Sequence, residues 1–232
     1  VGQTANEALD LHATLYNDKE AIRQLVGSDL GGYIVVLDVR VAPKGAKPLR
    51  PAKWPEIVTI TASYGHGMSG SPMNLASAYA TIANGGIKVT PTLLHRTAPM
   101  MGERVMREEV ALASVAMLRR VVTDGTASLG DVPGYAVGGK TGTANKVKRG
   151  GGYYEDKVVN TFASVFPAND PKYVLVVTLD EPVETSGPKP RRTAGWTAVP
   201  VAAEIIRRTA PLLGMRPQVE AASLDGLTAV NN

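Results

Sequence analysis

Residues 134–146 read GYAVGGKTGTANK, and the conformation of this stretch decides the fold. Gly134, Gly139, Lys140 and Thr141 fit the pattern G-x-x-x-x-G-K-[ST], in which a loop wraps nucleotide phosphates at the start of a helix. From Lys140 onward the same letters spell Lys-Thr-Gly-Thr, a run that can lie extended at the edge of a β-sheet. The two interpretations require different neighbours in the chain.

The flanking sequence favours the extended strand. A phosphate loop follows a buried strand and opens a helix, but Gly134 follows SLGDVP and Gly142 interrupts any helix that begins at Lys140. The run YVLVVTLDE (173–181) ends in two carboxylates, as a magnesium-binding strand of a nucleotide-binding protein would. Nucleotide binding therefore stays as the weakest alternative, and we predict an edge strand over 135–147.

Composition excludes several classes of site. The 232 residues contain no cysteine, so neither a disulfide nor a thiolate metal site can form. His12, His66 and His95 have no paired spacing, and no zinc site or other cofactor is expected. No apolar run approaches the ~20 residues that cross a bilayer, so any membrane anchor is expected outside this chain.

The positive charge is mild and scattered. The formal net charge is +4, and the densest basic cluster is Lys146, Lys148 and Arg149, beside the glycines at 150–152. This pattern predicts a solvated hairpin tip, and no nucleic-acid partner is expected.

Periodicity and turn residues predict the remaining elements. They are a helix over 5–26, a strand over 33–41, helices over 71–86 and 107–123, two strands joined by the turn PANDPK (167–172), and a helix over 197–214. Ser71 and Pro72 suit the N-cap and first position of their helix. In the helix over 107–123 we predict a buried stripe of Val110, Ala113, Met117 and Val121.

These elements assemble into an α+β fold, an α/β sandwich built on an antiparallel sheet. The predicted strand order is 33–41, 172–181, 158–167, 135–147. Helices 5–26 and 197–213 cover one face, and helices 71–85 and 107–123 cover the other. One domain over 1–215 is expected, followed by a loose tail over 216–232.

The Lys-Thr-Gly-Thr strand has the chemistry of an anion-binding edge. Lys140 places a positive charge against a carboxylate or a proton-transfer network, and Thr141 and Thr143 add hydroxyl donors. Gly142 removes a side chain where a ligand backbone lies close. A strand-edge amide can stabilise a developing oxyanion without reorganising.

Four stretches in the same order resemble class B penicillin-binding proteins, and among them the division-type peptidoglycan D,D-transpeptidases. They are YGHGMSGSPMNLASAYATIANGGIKVTP (64–91), VVTDGTAS (121–128), the opening stretch, and NTFASVFPANDPKYVLVVTLDEP (160–182). The resemblance covers about residues 54–213, and implies the penicillin-binding protein/β-lactamase-like fold.

One part of the family pattern is missing. GGYIVVLDVR (31–40) resembles the family's first strand, but VAPKGAKPLRPAKW (41–54) replaces the region that should carry the S-x-x-K serine and the S-x-N motif. The sole S-x-x-K match, 186–189, lies in a proline-rich loop, and TAN at 4–6 is a degenerate echo of S-x-N. Whether this absence is natural or reflects an incomplete sequence stays open.

The resemblance implies half an active site. In the family a serine attacks the penultimate D-Ala carbonyl of a stem peptide that ends in D-Ala-D-Ala, and β-lactams acylate the same serine. Lys140, Thr141, Gly142 and Thr143 match the element that binds the substrate carboxylate and the oxyanion, whereas no nucleophile can be assigned. The expected setting is periplasmic, at the outer face of the cytoplasmic membrane, with division-complex proteins as partners. A non-catalytic domain that binds peptide or a division partner is the main alternative, and the chain alone is predicted to be inactive.

Overall fold

Four helices and three strands form the described part of the chain, which comprises residues 51–65, 67–91, 102–148 and 150–218 of a computed structural model. The helices are α1 (Glu56–Ser63), α2 (Pro72–Ala83), α3 (Glu108–Thr123) and α4 (Ala198–Thr209), and the strands are β1 (Gly138–Val147), β2 (Tyr153–Phe166) and β3 (Tyr173–Asp180). Single 3-10 turns lie at Ser128–Gly130 and Ala194–Trp196. The predicted helix over 5–26, the predicted strand over 33–41 and the three histidines lie outside the described residues.

The sheet is antiparallel with the order β1-β2-β3, as predicted for these three strands. β2 begins at Tyr153, five residues before the predicted start at 158. This first part of the strand pairs with β1 alone, as far as the pair Val147 and Tyr153. The turn between β1 and β2 is closed by the Lys148 N–H, which donates to the Gly152 carbonyl oxygen at 3.0 Å. The predicted hairpin tip is therefore confirmed.

Two neighbouring glycines show that the sheet is covered on both faces. A Cβ at Gly138 would lie 3.0 Å from the Arg119 nitrogen of α3, whereas a Cβ at Gly139 would lie 2.6 Å from the Phe162 ring. Phe162 belongs to the main core with Val199 and Ile206 of α4. Because successive side chains of a strand point to opposite faces, α3 and α4 lie on opposite sides, as predicted, and α2 packs with α3.

The signals at the start of α2 act as the sequence predicts. Ser71 is the N-cap and its hydroxyl accepts from the Asn74 N–H at 3.2 Å, while the Asn74 side chain accepts from the Ser71 N–H at 2.9 Å. This reciprocal pair satisfies two backbone donors at the helix end. The helix ends at Ala83 with Asn84 as its C-cap, three residues before the predicted end at 86.

The predicted buried stripe of α3 is wrong except at Val121, which is partly buried against the core. Val110 and Met117 are exposed, Met117 by 62%, and the buried residues are Ala111, Val115 and Val122. Apolar residues lie on both faces of this helix, so periodicity alone does not fix its rotation. Gly138 lies close to the backbone of Arg119, and this contact places the row of Ala111, Val115 and Val122 toward the sheet.

Helix α1 was not predicted, and none of its residues is buried. No described helix combines the length and the apolar character needed to cross a membrane. The first residues of the predicted tail contact the domain, because the Gln218 N–H donates to the Gly134 oxygen at 2.8 Å; residues 219–232 lie outside the described part.

Candidate functional site

The Lys-Thr-Gly-Thr run lies extended in β1, at one edge of the described sheet. Lys140 pairs with Ala163 and Thr143 pairs with Asn160 of β2, and no described strand pairs with the other side of β1. A phosphate loop would need a helix that begins at Lys140, so the nucleotide-binding interpretation of this stretch is wrong. The predicted edge strand begins at Gly138, three residues later than expected.

Lys140 carries a positive charge that no described carboxylate neutralises. Its side chain is exposed, and its Nζ donates to the Thr141 carbonyl oxygen at 2.8 Å. Among the ion pairs of the described residues, none includes Lys140. An exposed ammonium at a sheet edge is available to an anionic ligand.

Lys146, on the same strand, behaves differently. Its Nζ lies 2.7 Å from Asp180 Oδ2 and 2.8 Å from Glu181 Oε1. These hydrogen bonds, first that to Asp180, raise the pKa of the Lys146 ammonium. The bonds from Lys146 and then from Lys157 lower the pKa of the Glu181 carboxyl. Lys146 therefore links the end of β1 to the end of β3, and the carboxylates of Asp180 and Glu181 compensate its charge.

Gly142 leaves open space beside Lys140. A Cβ at this position would meet nothing closer than the Thr161 carbonyl oxygen at 3.9 Å, so the protein's own packing does not require a glycine here. Gly138, Lys140 and Gly142 share one face of β1, since side chains alternate along a strand. Among the described residues, none packs against that face at Gly142.

The two threonines point to the other face and have partners there. The Thr141 hydroxyl lies 2.8 Å from the Thr126 hydroxyl, and Thr143 Oγ1 accepts a 3.0 Å hydrogen bond from the Ala194 N–H. The Ala194–Trp196 turn thus touches the same strand that carries Lys140. Thr126 falls within the VVTDGTAS stretch, but the sequence did not predict its contact with Thr141, which lies 15 residues further along the chain.

A second set of groups behind the strand was missed in the sequence. Asn160 is fully buried in β2 and binds the segment on either side of the Ala194–Trp196 turn. The available signal was a lone polar amide in the apolar run VVNTFASVF. Such a residue must find buried partners, although the sequence does not name them.

The only S-x-x-K match in the sequence is not on a helix. Ser186 lies in a bent loop closed by the Glu184↔Arg191 bridge, and its N–H donates to Glu184 Oε1 at 2.6 Å. Ser186 and Lys189 are both exposed. Their spacing along this loop is not the one helical turn that would bring a serine and its activating lysine together. The described residues contain no cluster of His, Asp and Glu suited to a metal ion.

The sequence is similar to a family model and to curated proteins. The model described as penicillin binding protein transpeptidase domain matches residues 42–207. The probable peptidoglycan D,D-transpeptidase FtsI of Caulobacter vibrioides is 35% identical over 191 residues, which are 76% of this chain and 32% of that protein. Stage V sporulation protein D of Bacillus subtilis is 33% identical over 170 residues, 68% of this chain and 25% of that protein. The chain thus spans a third or less of the length of these relatives.

Solved structures agree with this assignment. The transpeptidase domain of penicillin-binding protein 3 from Burkholderia pseudomallei superposes with a TM-score of 0.64 at 36% identity, covering 77% of this chain and 55% of that one. Penicillin-binding protein 3 from Mycobacterium tuberculosis, complexed with aztreonam, gives a TM-score of 0.63 at 27% identity, covering 75% of this chain and 42% of that one. The α+β fold implied by the resemblance is confirmed. The chain belongs to the penicillin-binding protein transpeptidase domain family.

Proposed function

We propose that this chain supplies the strand that binds the substrate carboxylate and the oxyanion in a peptidoglycan D,D-transpeptidase. The ligand is a stem peptide ending in D-Ala-D-Ala, and β-lactams would occupy the same edge. Lys140, Thr141, Gly142 and Thr143 form this strand. The Caulobacter vibrioides relative, named as a probable peptidoglycan D,D-transpeptidase, supports the reaction class.

The observation that carries the proposal is the exposed Lys140 ammonium, unpaired among the described carboxylates, beside the open position of Gly142. A peptide laid along β1 would bring its terminal carboxylate to this charge, and Gly142 would let the two backbones approach. A charge-assisted hydrogen bond of this kind is stronger than a neutral one.

The backbone of β1 supplies the second part of the site. The Thr141 carbonyl oxygen accepts a hydrogen bond from Lys140 Nζ. This bond supports the placement of that oxygen on the side of β1 that faces away from β2. In an antiparallel pair, residues alternate between facing the partner and facing away, so the Thr143 N–H would lie at that edge too. A fixed N–H there can stabilise an oxyanion without reorganisation.

Binding of an N-acetylated D-Ala-D-Ala peptide and of its C-terminal amide, followed by NMR titration, tests the proposal. We expect the carboxylate form to bind more tightly, with shifts centred on β1. Lys140→Met should weaken its binding about fivefold to tenfold, as for loss of a charged hydrogen bond at an exposed site. Lys172→Met is the matched control, because it removes the same charge from the β2–β3 turn, where Lys172 pairs with Asp170. Equal binding of acid and amide by the unsubstituted protein would contradict the proposal.

The second candidate function is a non-catalytic domain that keeps the sheet for binding peptide or a division partner. The exposed, non-helical position of Ser186 favours it, because no other S-x-x-K serine occurs in the sequence. Loss of the nucleophile removes nearly all of the chemical acceleration of such a site. We therefore expect no stable covalent label with a fluorescent penicillin. Labelling that a single Ser→Ala change abolishes would establish the catalytic function instead.

The proposed setting follows from the reaction class. Peptidoglycan stem peptides are cross-linked outside the cytoplasmic membrane, so the domain would act in the periplasm, at the outer face of the cytoplasmic membrane, with division-complex proteins as partners. Cell fractionation tests this location: the protein should be found outside the cytoplasmic fraction, which a cytoplasmic marker identifies.

A further inference from the structure

Asn160 holds the turn that supports the Lys-Thr-Gly-Thr strand from behind. Its side chain is fully buried, and its Nδ2 donates to the Arg192 carbonyl oxygen and to Thr197 Oγ1, both at 2.7 Å. The Thr197 hydroxyl in turn donates to the Thr193 carbonyl oxygen at 3.1 Å. One amide group therefore fixes both ends of the segment 192–197.

The orientation of this amide follows from its partners. The Arg192 oxygen can only accept, so the NH₂ group and not the oxygen of Asn160 must face it. Asn160 Oδ1 is buried with no partner in the described residues. A buried, half-satisfied amide is costly, and a chain that needed only packing at this site would be better served by an apolar side chain.

The segment that Asn160 holds contacts Thr143 of β1 directly, and it is linked to Thr141 through Thr126. The Ala194 N–H donates to Thr143 Oγ1 at 3.0 Å. A Cβ at Gly195 would come within 2.6 Å of the Thr126 carbonyl oxygen, so the turn packs directly on Thr126, whose hydroxyl meets Thr141. Asn160 is also the register partner of Thr143 across β1 and β2.

We propose that Asn160 is a positioning residue that directs the Thr143 hydroxyl toward the ligand carboxylate. This inference rests on the proposed function. The Ala194 N–H occupies a lone pair of Thr143 Oγ1, and no described group accepts the Thr143 hydroxyl proton. That proton is therefore left to donate to an anion at the sheet edge. Without Asn160 the turn loses its anchor, and the hydroxyl loses the contact that fixes its direction.

A double-mutant cycle with the acetylated D-Ala-D-Ala peptide separates positioning from general stabilisation. The variants are Asn160→Leu, Thr143→Val and the double substitution, with Thr197→Val as a milder way to release the turn. We expect Asn160→Leu to weaken peptide binding about fourfold or more when Thr143 is intact, and less than about 1.5-fold when Thr143 is already valine, a difference within the usual range of coupling between contacting residues. Equal weakening in both backgrounds would overturn the inference.

Ser164→Ala is the matched control. Ser164 is equally buried, lies on the same face of β2, and donates to the Leu175 oxygen at 3.0 Å, but it does not contact the turn. It should lower thermal stability without changing the preference for the carboxylate peptide over its amide. If it lowers that preference as much as Asn160→Leu does, the role of Asn160 is structural.

Hydrogen exchange in the free protein gives a readout that needs no ligand. We expect the Ala194 amide to exchange at least about tenfold faster in Asn160→Leu and in Thr197→Val, while amides of the β2–β3 ladder stay protected. We call the pair of hydrogen bonds from Asn160 to Arg192 and Thr197 the clamp. Unchanged exchange of the Ala194 amide in Asn160→Leu refutes the clamp even if the peptide binds. A normal clamp in a protein that binds no carboxylate peptide refutes the proposed function and, with it, the ligand-directing role of Asn160.

Discussion

Gly139 and Gly142 lie three residues apart on β1, and the structure gives them opposite roles. A Cβ at Gly139 would lie 2.6 Å from the Phe162 ring and 2.7 Å from the Ala163 carbonyl oxygen. Ordinary contact begins at 3.4 Å, so about 0.8 Å must be recovered by movement. Phe162 is fully buried and the other obstacle is backbone, so neither can swing into solvent.

We therefore expect Gly139→Ala to cost about 1–3 kcal/mol of unfolding free energy, the range for overpacking a filled core. For a domain of this size each kcal/mol shifts the melting temperature by about 2–4 °C, so the expected decrease is about 2–12 °C. Gly142→Ala is the matched control. Its Cβ would meet only ordinary contact at 3.9 Å, and its free energy of unfolding should stay within about 0.5 kcal/mol.

Thermal unfolding followed by circular dichroism measures both variants, and peptide titration completes the comparison. Gly142→Ala should keep its stability and lose affinity for the D-Ala-D-Ala peptide, because its methyl group occupies the open edge. A Gly139→Ala protein that melts with the unsubstituted one would refute the close packing of β1 on Phe162. A Gly142→Ala protein that binds the peptide normally would contradict the proposed path of the ligand along β1.

Three further changes test the scaffold around the site. Glu181 has a lowered pKa, so its stabilisation is present above its ordinary pKa and is lost as the pH falls through the folded value; the stability difference between the protein and Glu181→Gln should therefore shrink from pH 6 to pH 3 in thermal melts. Ser71→Ala removes the N-cap of α2 and should cost about 1 kcal/mol in denaturant unfolding, while Ser71→Asp should restore it. Phe162→Ala empties the centre of the core and should cost about 3–5 kcal/mol, and a loss below 1 kcal/mol would show that the ring is not packed as described.

Local signals in the sequence were enough to predict the three strands that the structure describes. Gly142 and the absence of an apolar strand before Gly134 made a phosphate loop the weakest alternative, and β1 is extended as predicted. The N-cap of α2 was predicted from Ser71 followed by Pro72, and the structure confirms it. The candidate residues Lys140, Thr141, Gly142 and Thr143 all came from one continuous stretch, and their role in binding stays a prediction.

Tertiary structure decided what depends on distant partners. The rotation of α3 follows from its contact with Gly138, and two apolar rows in its sequence left that choice open. The contact of Ala194 with Thr143 joins residues 51 positions apart, and the clamp of Asn160 spans 32 and 37 positions. A helix cap or a strand alternation is fixed by neighbours along the chain, whereas a buried amide is satisfied only by groups that folding brings to it.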